Sequence, residues 1–170
     1  MPNYCNNILI VSAKNNKGIK ELKDFKNTAK KPIKKLKSCI SFENLFPTPK
    51  ELLDEKAPAP DNKIKKFQKL YSADDWYDWR IKNWSTKWDA IDPYLNNIKN
   101  DYLNYCFDTA WSPPLNLFVE VSKKYPNLTF ELNYEERGMW FAGSFKVKNG
   151  NIIFDRQYEP EPYEDEEGLK

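Results

Sequence analysis

The chain contains no histidine. Histidine is the side chain whose unperturbed pKa lies between about pH 5 and 8, and it is the commonest metal ligand. Its absence excludes Ser-His-Asp and Cys-His nucleophilic catalysis and histidine-liganded zinc. An enzyme made from these residues would have to work with carboxylates, lysine, tyrosine or a bare thiol. Cysteine is scarce as well. Cys5, Cys39 and Cys106 are far apart and include no Cys-x-x-Cys pair, which argues against a closed zinc site and for reduced, mostly buried thiols. Arginine, the bidentate reader of bases and phosphates, occurs only at Arg80, Arg137 and Arg156. No apolar run approaches the roughly 20 residues that cross a bilayer, and Asn3 to Asn7 show no basic n-region of a secretory signal. A cytoplasmic protein with no membrane partner is expected, and no metal or cofactor.

What the chain does have is aromatic and charged. Six tryptophans, ten tyrosines and ten phenylalanines offset a mean hydropathy of −0.83, supplying large apolar side chains that disordered chains lack. At 170 residues this is enough for one domain. Tyr4 to Ser12, with Ile8, Leu9, Ile10 and Val11, reads as a buried strand. From Lys17 to Lys30, Ile19, Leu22, Phe25 and Ala29 recur at helical spacing between lysines, and Pro32 ends the helix. Ile40, Phe42 and Leu45 suggest a second short strand over Cys39 to Phe46. Ala57-Pro58-Ala59-Pro60 is extended, and a helix is expected from Asp61 to Tyr71. The densest aromatic stretch follows, from Asp75 to Asp89.

The C-terminal half alternates more clearly. In Tyr102 to Thr109, Leu103, Tyr105 and Phe107 share one face, and Asn104, Cys106 and Asp108 the other. Ser112-Pro113-Pro114 suggests a helix start with Ser112 as N-cap, followed by the stripe Leu117, Phe118, Val121 and Tyr125. Leu128, Phe130, Leu132 and Tyr134 alternate strictly, and Met139 to Val147 alternates again with Met139, Phe141, Phe145 and Val147 on one side. Asn149-Gly150 marks a hairpin turn into a last strand from Asn151. This order predicts an α+β fold: a ferredoxin-like split βαβ sandwich, its antiparallel sheet covered by helices on one face, with an aromatic-rich insertion. A single domain over residues 1–158 is expected, with the insertion at about 50–98 and an acidic, disordered tail over 159–170.

Several segments together resemble a known family. They are Met1-Pro2-Asn3-Tyr4-Cys5-Asn6-Asn7, Pro47-Thr48-Pro49 before Glu51-Leu52, Trp76-Tyr77-Asp78-Trp79-Arg80 with Asn83 to Asp89, Phe107 to Pro114, and Tyr134 to Gly138. In this order they resemble the Api92-like (YubB-type) family of phage and plasmid proteins. Two positions depart from its pattern: Tyr4 stands where the family usually has tryptophan, and Ser85 where it usually has glycine. A serine at residue 85 disfavours a turn with positive φ. The resemblance implies a ferredoxin-like domain and a mobile-element origin, without a reaction.

Trp76, Trp79, Arg80, Asn83, Trp84, Lys87, Trp88, Asp89 and Trp111 are the aromatic candidates for binding. The competing interpretation of this stretch is a small core, with Arg80, Lys87 and Asp89 in ion pairs beneath the tryptophans. As a site, it would hold an anion between aromatic walls through Arg80 and Lys87. Asp74, Asp75, Asp78 and Asp89 are the metal or acid–base candidates; Asp74 and Asp78, spaced i, i+4, could together hold Mg²⁺, although Asp74 equally suits an N-cap. The lysines of the N-terminal third, among them Lys20, Lys23, Lys30 and Lys34, form either a phosphate-contacting patch or a solvated face. The leading functional expectation is a non-enzymatic phage or mobile-element protein that binds a host protein or ribonucleoprotein complex. Its partner would be a nucleic-acid-directed defence system, making it an inhibitor of anti-CRISPR or anti-restriction type. One alternative is single-stranded nucleic-acid binding through the lysine helix and aromatics on the sheet. Another is a small-ligand-binding protein or metal-dependent phosphoesterase centred on Asp74, Asp78, Arg80 and Lys87.

Overall fold

A computed structural model describes residues 3–30 and 39–160. Strand β1 (Tyr4–Ala13) leads into helix α1 (Asn16–Ala29). The short helices α2 (Phe42–Leu45) and α3 (Lys50–Leu53) follow, then α4 (Asp61–Tyr71) and α5 (Trp76–Trp84). The rest is β2 (Ile91–Ile98), β3 (Tyr102–Ala110), α6 (Leu115–Lys124), β4 (Leu128–Glu136), β5 (Phe141–Lys148) and β6 (Asn151–Tyr158). The six strands form one sheet in the order β2-β3-β1-β4-β5-β6, every neighbouring pair antiparallel. Strands β2-β3-β1-β4 are the ferredoxin-like core: α1 and the insertion connect β1 to β2, and α6 connects β3 to β4. The β5–β6 hairpin widens the sheet beyond β4.

Period-two alternation decides which face is covered. Cys5, Leu9 and Val11 of β1, Leu103, Tyr105 and Phe107 of β3, and Phe130, Leu132 and Tyr134 of β4 are buried. They meet Leu22, Phe25 and Ala29 of α1 and Leu117, Phe118 and Val121 of α6 in one core. Phe25 contacts Tyr105, Tyr125 and Phe130 edge-on, and Phe42 does the same with Trp84, Phe107 and Phe118. Helix α2 therefore lies in the same layer as α1 and α6. The alternate residues, among them Tyr4, Ile8 and Tyr94, are exposed on the other face. Gly143 is required by close approach: a Cβ there would stand 2.3 Å from the Tyr134 ring and 2.7 Å from the Arg156 carbonyl oxygen.

Four local expectations need correction. The strand expected around Phe42 is the helix α2. Ile40 and Phe42 alternate as in a strand, but Phe42 and Leu45 also lie one helical turn apart, and a distant residue decides. The Asp89 carboxylate accepts hydrogen bonds from Ser41 Oγ and the Phe42 N–H, both at 2.6 Å, and so caps α2. The second core strand is instead β2, within the segment expected to be insertion. Its Pro93 and its two register shifts against β3 hide the alternation. Ser112 is not the cap of α6, which starts at Leu115; its Oγ donates to the Ser85 carbonyl at 2.5 Å. Met139 is not on the buried side of β5. The buried Glu136 carboxylate accepts from the N–H groups of Gly138 and Met139, folding a turn that leaves Met139 exposed.

Trp84 is fully buried, and its indole N–H donates to the Phe46 carbonyl at 2.9 Å. Trp84→Ala is expected to destabilise the protein by about 3–5 kcal/mol, measured by urea denaturation, because it leaves both a cavity and an unpaired carbonyl.

Candidate functional site

The tryptophan-rich segment divides into an inner and an outer part. Asp75 caps α5, its side chain accepting the Asp78 N–H at 2.9 Å, so the cap is Asp75 rather than Asp74. Asp78 in turn accepts the Asp74 N–H at 3.2 Å, and Asp74 accepts from Gln68 at 2.9 Å. These carboxylates shape the start of the helix. Arg80, one turn further on, spends each arm of its guanidinium internally. Nε donates to Thr48 Oγ1 at 3.0 Å, Nη1 to the Lys87 carbonyl at 3.2 Å and Nη2 to Glu43 Oε1 at 2.5 Å. It also lies against the rings of Trp76 and Trp84, 5.2 and 4.6 Å from their centroids. Trp79 is buried against Phe46 and Trp84, and Asn83 turns back to the Trp79 carbonyl at 2.8 Å. The structure thus places Trp79 and Trp84 in the core, Arg80 and Asp89 in bonds to Glu43, Thr48, Ser41 and Phe42, and Asn83 in a bond within α5. Asp74, Asp78, Arg80 and Lys87 do not converge on one point.

The outer part is a surface cluster. Ser85 ends α5 with φ 67, so the turn with positive φ forms although serine stands there. Three bonds secure it: its N–H donates to Ile81 O, its Oγ accepts the Asn116 N–H and its carbonyl accepts from Ser112. Beyond this turn the Lys87 ammonium sits 4.2 Å from the centroid of Trp88 and 3.8 Å from that of Trp111. Trp111 is held out by its own φ of 68 and by an N–H bond to Asn3 O at 3.0 Å. Of the tryptophans expected to bind, Trp88 and Trp111 are the exposed pair. Lys20, Lys23 and Lys30 are exposed along α1, and Lys34 and the tail from residue 161 onward lie outside the described residues.

A concavity lies elsewhere, on the uncovered face of the sheet. A groove of about 680 Å³ crosses all six strands near the C-terminal end of β3. Tyr94 of β2 stands at one side and Tyr158 of β6 at the other, with Ile8, Cys106, Ala142 and the amides of Asn6 and Asn133 between them. Asp92, Asp108 and Glu135 supply carboxylates and Arg137 a cation, whose Nε pairs with Glu135 Oε1 at 2.5 Å. Asp108 accepts a 2.7 Å bond from Asn6 Nδ2. The Tyr94 phenol is held above its ordinary range, first by its hydrogen bond to Cys106 and also by the nearby Asp108 charge. Sequence alternation set Asn104, Cys106 and Asp108 on the non-core face of β3. It gave no sign that six strands would each bring one to three residues to one groove.

An antiparallel sheet in the order β2-β3-β1-β4, covered by α1 and α6 on one face and bare on the other, is the architecture of a ferredoxin-like domain. The chain matches the family model described as the ferredoxin-like domain in Api92-like protein over residues 83–169. It belongs to the Api92-like family. The crystal structure of the protein Api92 from Yersinia pseudotuberculosis is similar to it, with a TM-score of 0.53 and 9% identity, covering 96% of this chain and 100% of that one. At that identity the likeness speaks for the fold. No curated protein matches the chain. No helix among the described residues is long and apolar enough to cross a membrane.

Two outcomes are expected from this geometry. Arg80→Ala should cost about 3 kcal/mol or more in urea denaturation, because it strands the largely buried Glu43. Lys87→Ala, which removes only surface ring contacts, should cost within about 1 kcal/mol. The second outcome concerns alkaline pH. Burial pushes the Cys5 thiol from 9.0 up to about 12, and burial likewise pushes the Tyr134 phenol from 10.0 up to about 12. Above pH 9 the unfolded chain loses these protons and the folded one keeps them. Stability is therefore complete below that pH and falls as it rises toward 12. The urea midpoint should drop across this window, and less steeply in Cys5→Ala.

Proposed function

We propose that this is a non-enzymatic binding protein of a phage or mobile element that acts in the host cytosol and uses its uncovered sheet face to dock on a host macromolecule. The expected partner is a protein or ribonucleoprotein of a nucleic-acid-directed defence system, which the bound protein would occlude in the manner of an anti-CRISPR or anti-restriction inhibitor. The groove between Tyr94 and Tyr158 carries this reading. It combines exposed aromatics with amide and carboxylate groups, the mixture that supplies anchors and orientation in protein interfaces. Family membership supports it by association with mobile elements, and the defence-system partner rests on that association alone.

Single-stranded nucleic-acid binding is the second reading. It is favoured by tyrosines on an open ferredoxin-like sheet, where RNA-recognition domains stack bases. A path that also uses the lysines of α1 is disfavoured, because α1 packs on the covered face and the tyrosines stand on the opposite one. One strand would have to wrap the domain to touch both.

Replacing Tyr94 by a photo-crosslinking amino acid should give a stoichiometric adduct with one host component on irradiation in host lysate. The same replacement at Lys20 on α1 should give none. Adducts from Lys20 and none from Tyr94 would count against the sheet face as the docking surface.

A further inference from the structure

We infer that the groove receives the cationic side chains of an extended, basic segment of a partner protein. This rests on the docking role proposed for the sheet face and names the chemistry that the face selects. Among the ionisable side chains lining the groove, Asp92, Asp108 and Glu135 are acidic and Arg137 is basic. Glu135 and Arg137 answer one another. That leaves two carboxylates on neighbouring strands without a cation: the register pairs Ile91 with Asp108, which sets Asp92 next to that pair. Asp108 takes a hydrogen bond from a neutral amide, and the Asp92 carboxylate makes no hydrogen bond or ion pair among the described residues. Of the other cations on this face, Lys146 bonds Glu131 at 2.7 Å, and Arg156 sits on β6 opposite Ser144, at the far edge of the sheet from the β2–β3 pair that carries Asp92 and Asp108. An ammonium or guanidinium group entering here would find uncompensated negative charge, with the tyrosine rings at either side to lie against.

The shape agrees with an extended peptide. Six strands at sheet spacing set the outer tyrosines roughly 24 Å apart, about seven residues of extended chain. Along that path lie the exposed amide of Asn6, whose Oδ1 can accept, and the half-buried amide of Asn133, whose Nδ2 can donate to its backbone groups. A phosphodiester strand on the same path would meet Asp92 and Asp108 at close range and be repelled. The groove thus separates two partners that a row of tyrosines alone would accept equally.

Fluorescence anisotropy with three labelled probes tests this: a seven-residue arginine–serine peptide, its glutamate–serine counterpart and a short oligothymidine. The full chain should bind the arginine peptide at low salt, several-fold more weakly at about 300 mM salt, and neither of the other two. Asp92→Asn with Asp108→Asn should weaken the arginine peptide by at least about tenfold while thermal unfolding stays unchanged. Undiminished binding in that double variant would overturn the inference, since the peptide would then be held by other acidic residues. Oligothymidine bound in place of the peptide would overturn it too. If no basic peptide binds and Tyr94 still crosslinks to a host partner, the cationic inference alone falls. If both fail, the docking reading falls with it.

Discussion

The structure follows from burying its sheet on one side only. The alternating apolar side chains of β1, β3 and β4 all turn toward α1, α6 and the insertion, so the opposite set is left facing water. This division is fixed by the two-residue period of a strand: slipping the register of any one strand by a residue would exchange its core and solvent faces. The uncovered face can therefore carry polar and aromatic groups at little cost to stability. A chain of this size builds a core on one face and keeps the other available for contact.

The insertion uses its aromatic residues in the service of that division. Phe42 and Trp84 sit edge-on to each other, Phe42 in turn against Phe107 and Phe118, so the insertion is anchored in the main core rather than forming one of its own. Arg80 and Lys87 illustrate how similar residues diverge. Both are cations against two indole rings, but Arg80 has three hydrogen-bonding arms and a carboxylate within reach, and its fork matches them. Lys87 has a single flexible ammonium and rests between exposed rings. One locks loops together; the other remains on the surface against Trp88 and Trp111.

Much of the fold was legible in the sequence, because its elements carry their own periodicity. The stripe Leu22, Phe25, Ala29 marked α1, strict alternation marked β3 and β4, and the proline-bounded segment gave α4 from Asp61 to Tyr71. What was misread depends on partners remote in the chain or on a weakened pattern. Helix α2 is decided by a carboxylate 47 residues away. Strand β2 carries a proline and two bulges, as edge strands commonly do, which removes the alternation by which it would be recognised. The site was harder still. Tryptophan density drew attention to Trp79 and Trp84, yet density alone does not distinguish a core from a platform, and here the deepest indoles are structural. The groove has no motif, since every strand contributes a small, ordinary share: an asparagine, a tyrosine, an aspartate.

The functional account turns on which surface is covered when the protein is bound. Hydroxyl-radical footprinting, read residue by residue in the mass spectrometer, compares the free protein with its complex after the host partner has been captured. The account predicts that oxidation of Tyr94 and Tyr158 falls several-fold in the complex, while Tyr77 and Leu70 on the insertion helices react as in the free protein. Unchanged rates at Tyr94 and Tyr158 together with protection of Tyr77 and Leu70 would contradict it, and would move the docking surface to the helical side of the molecule.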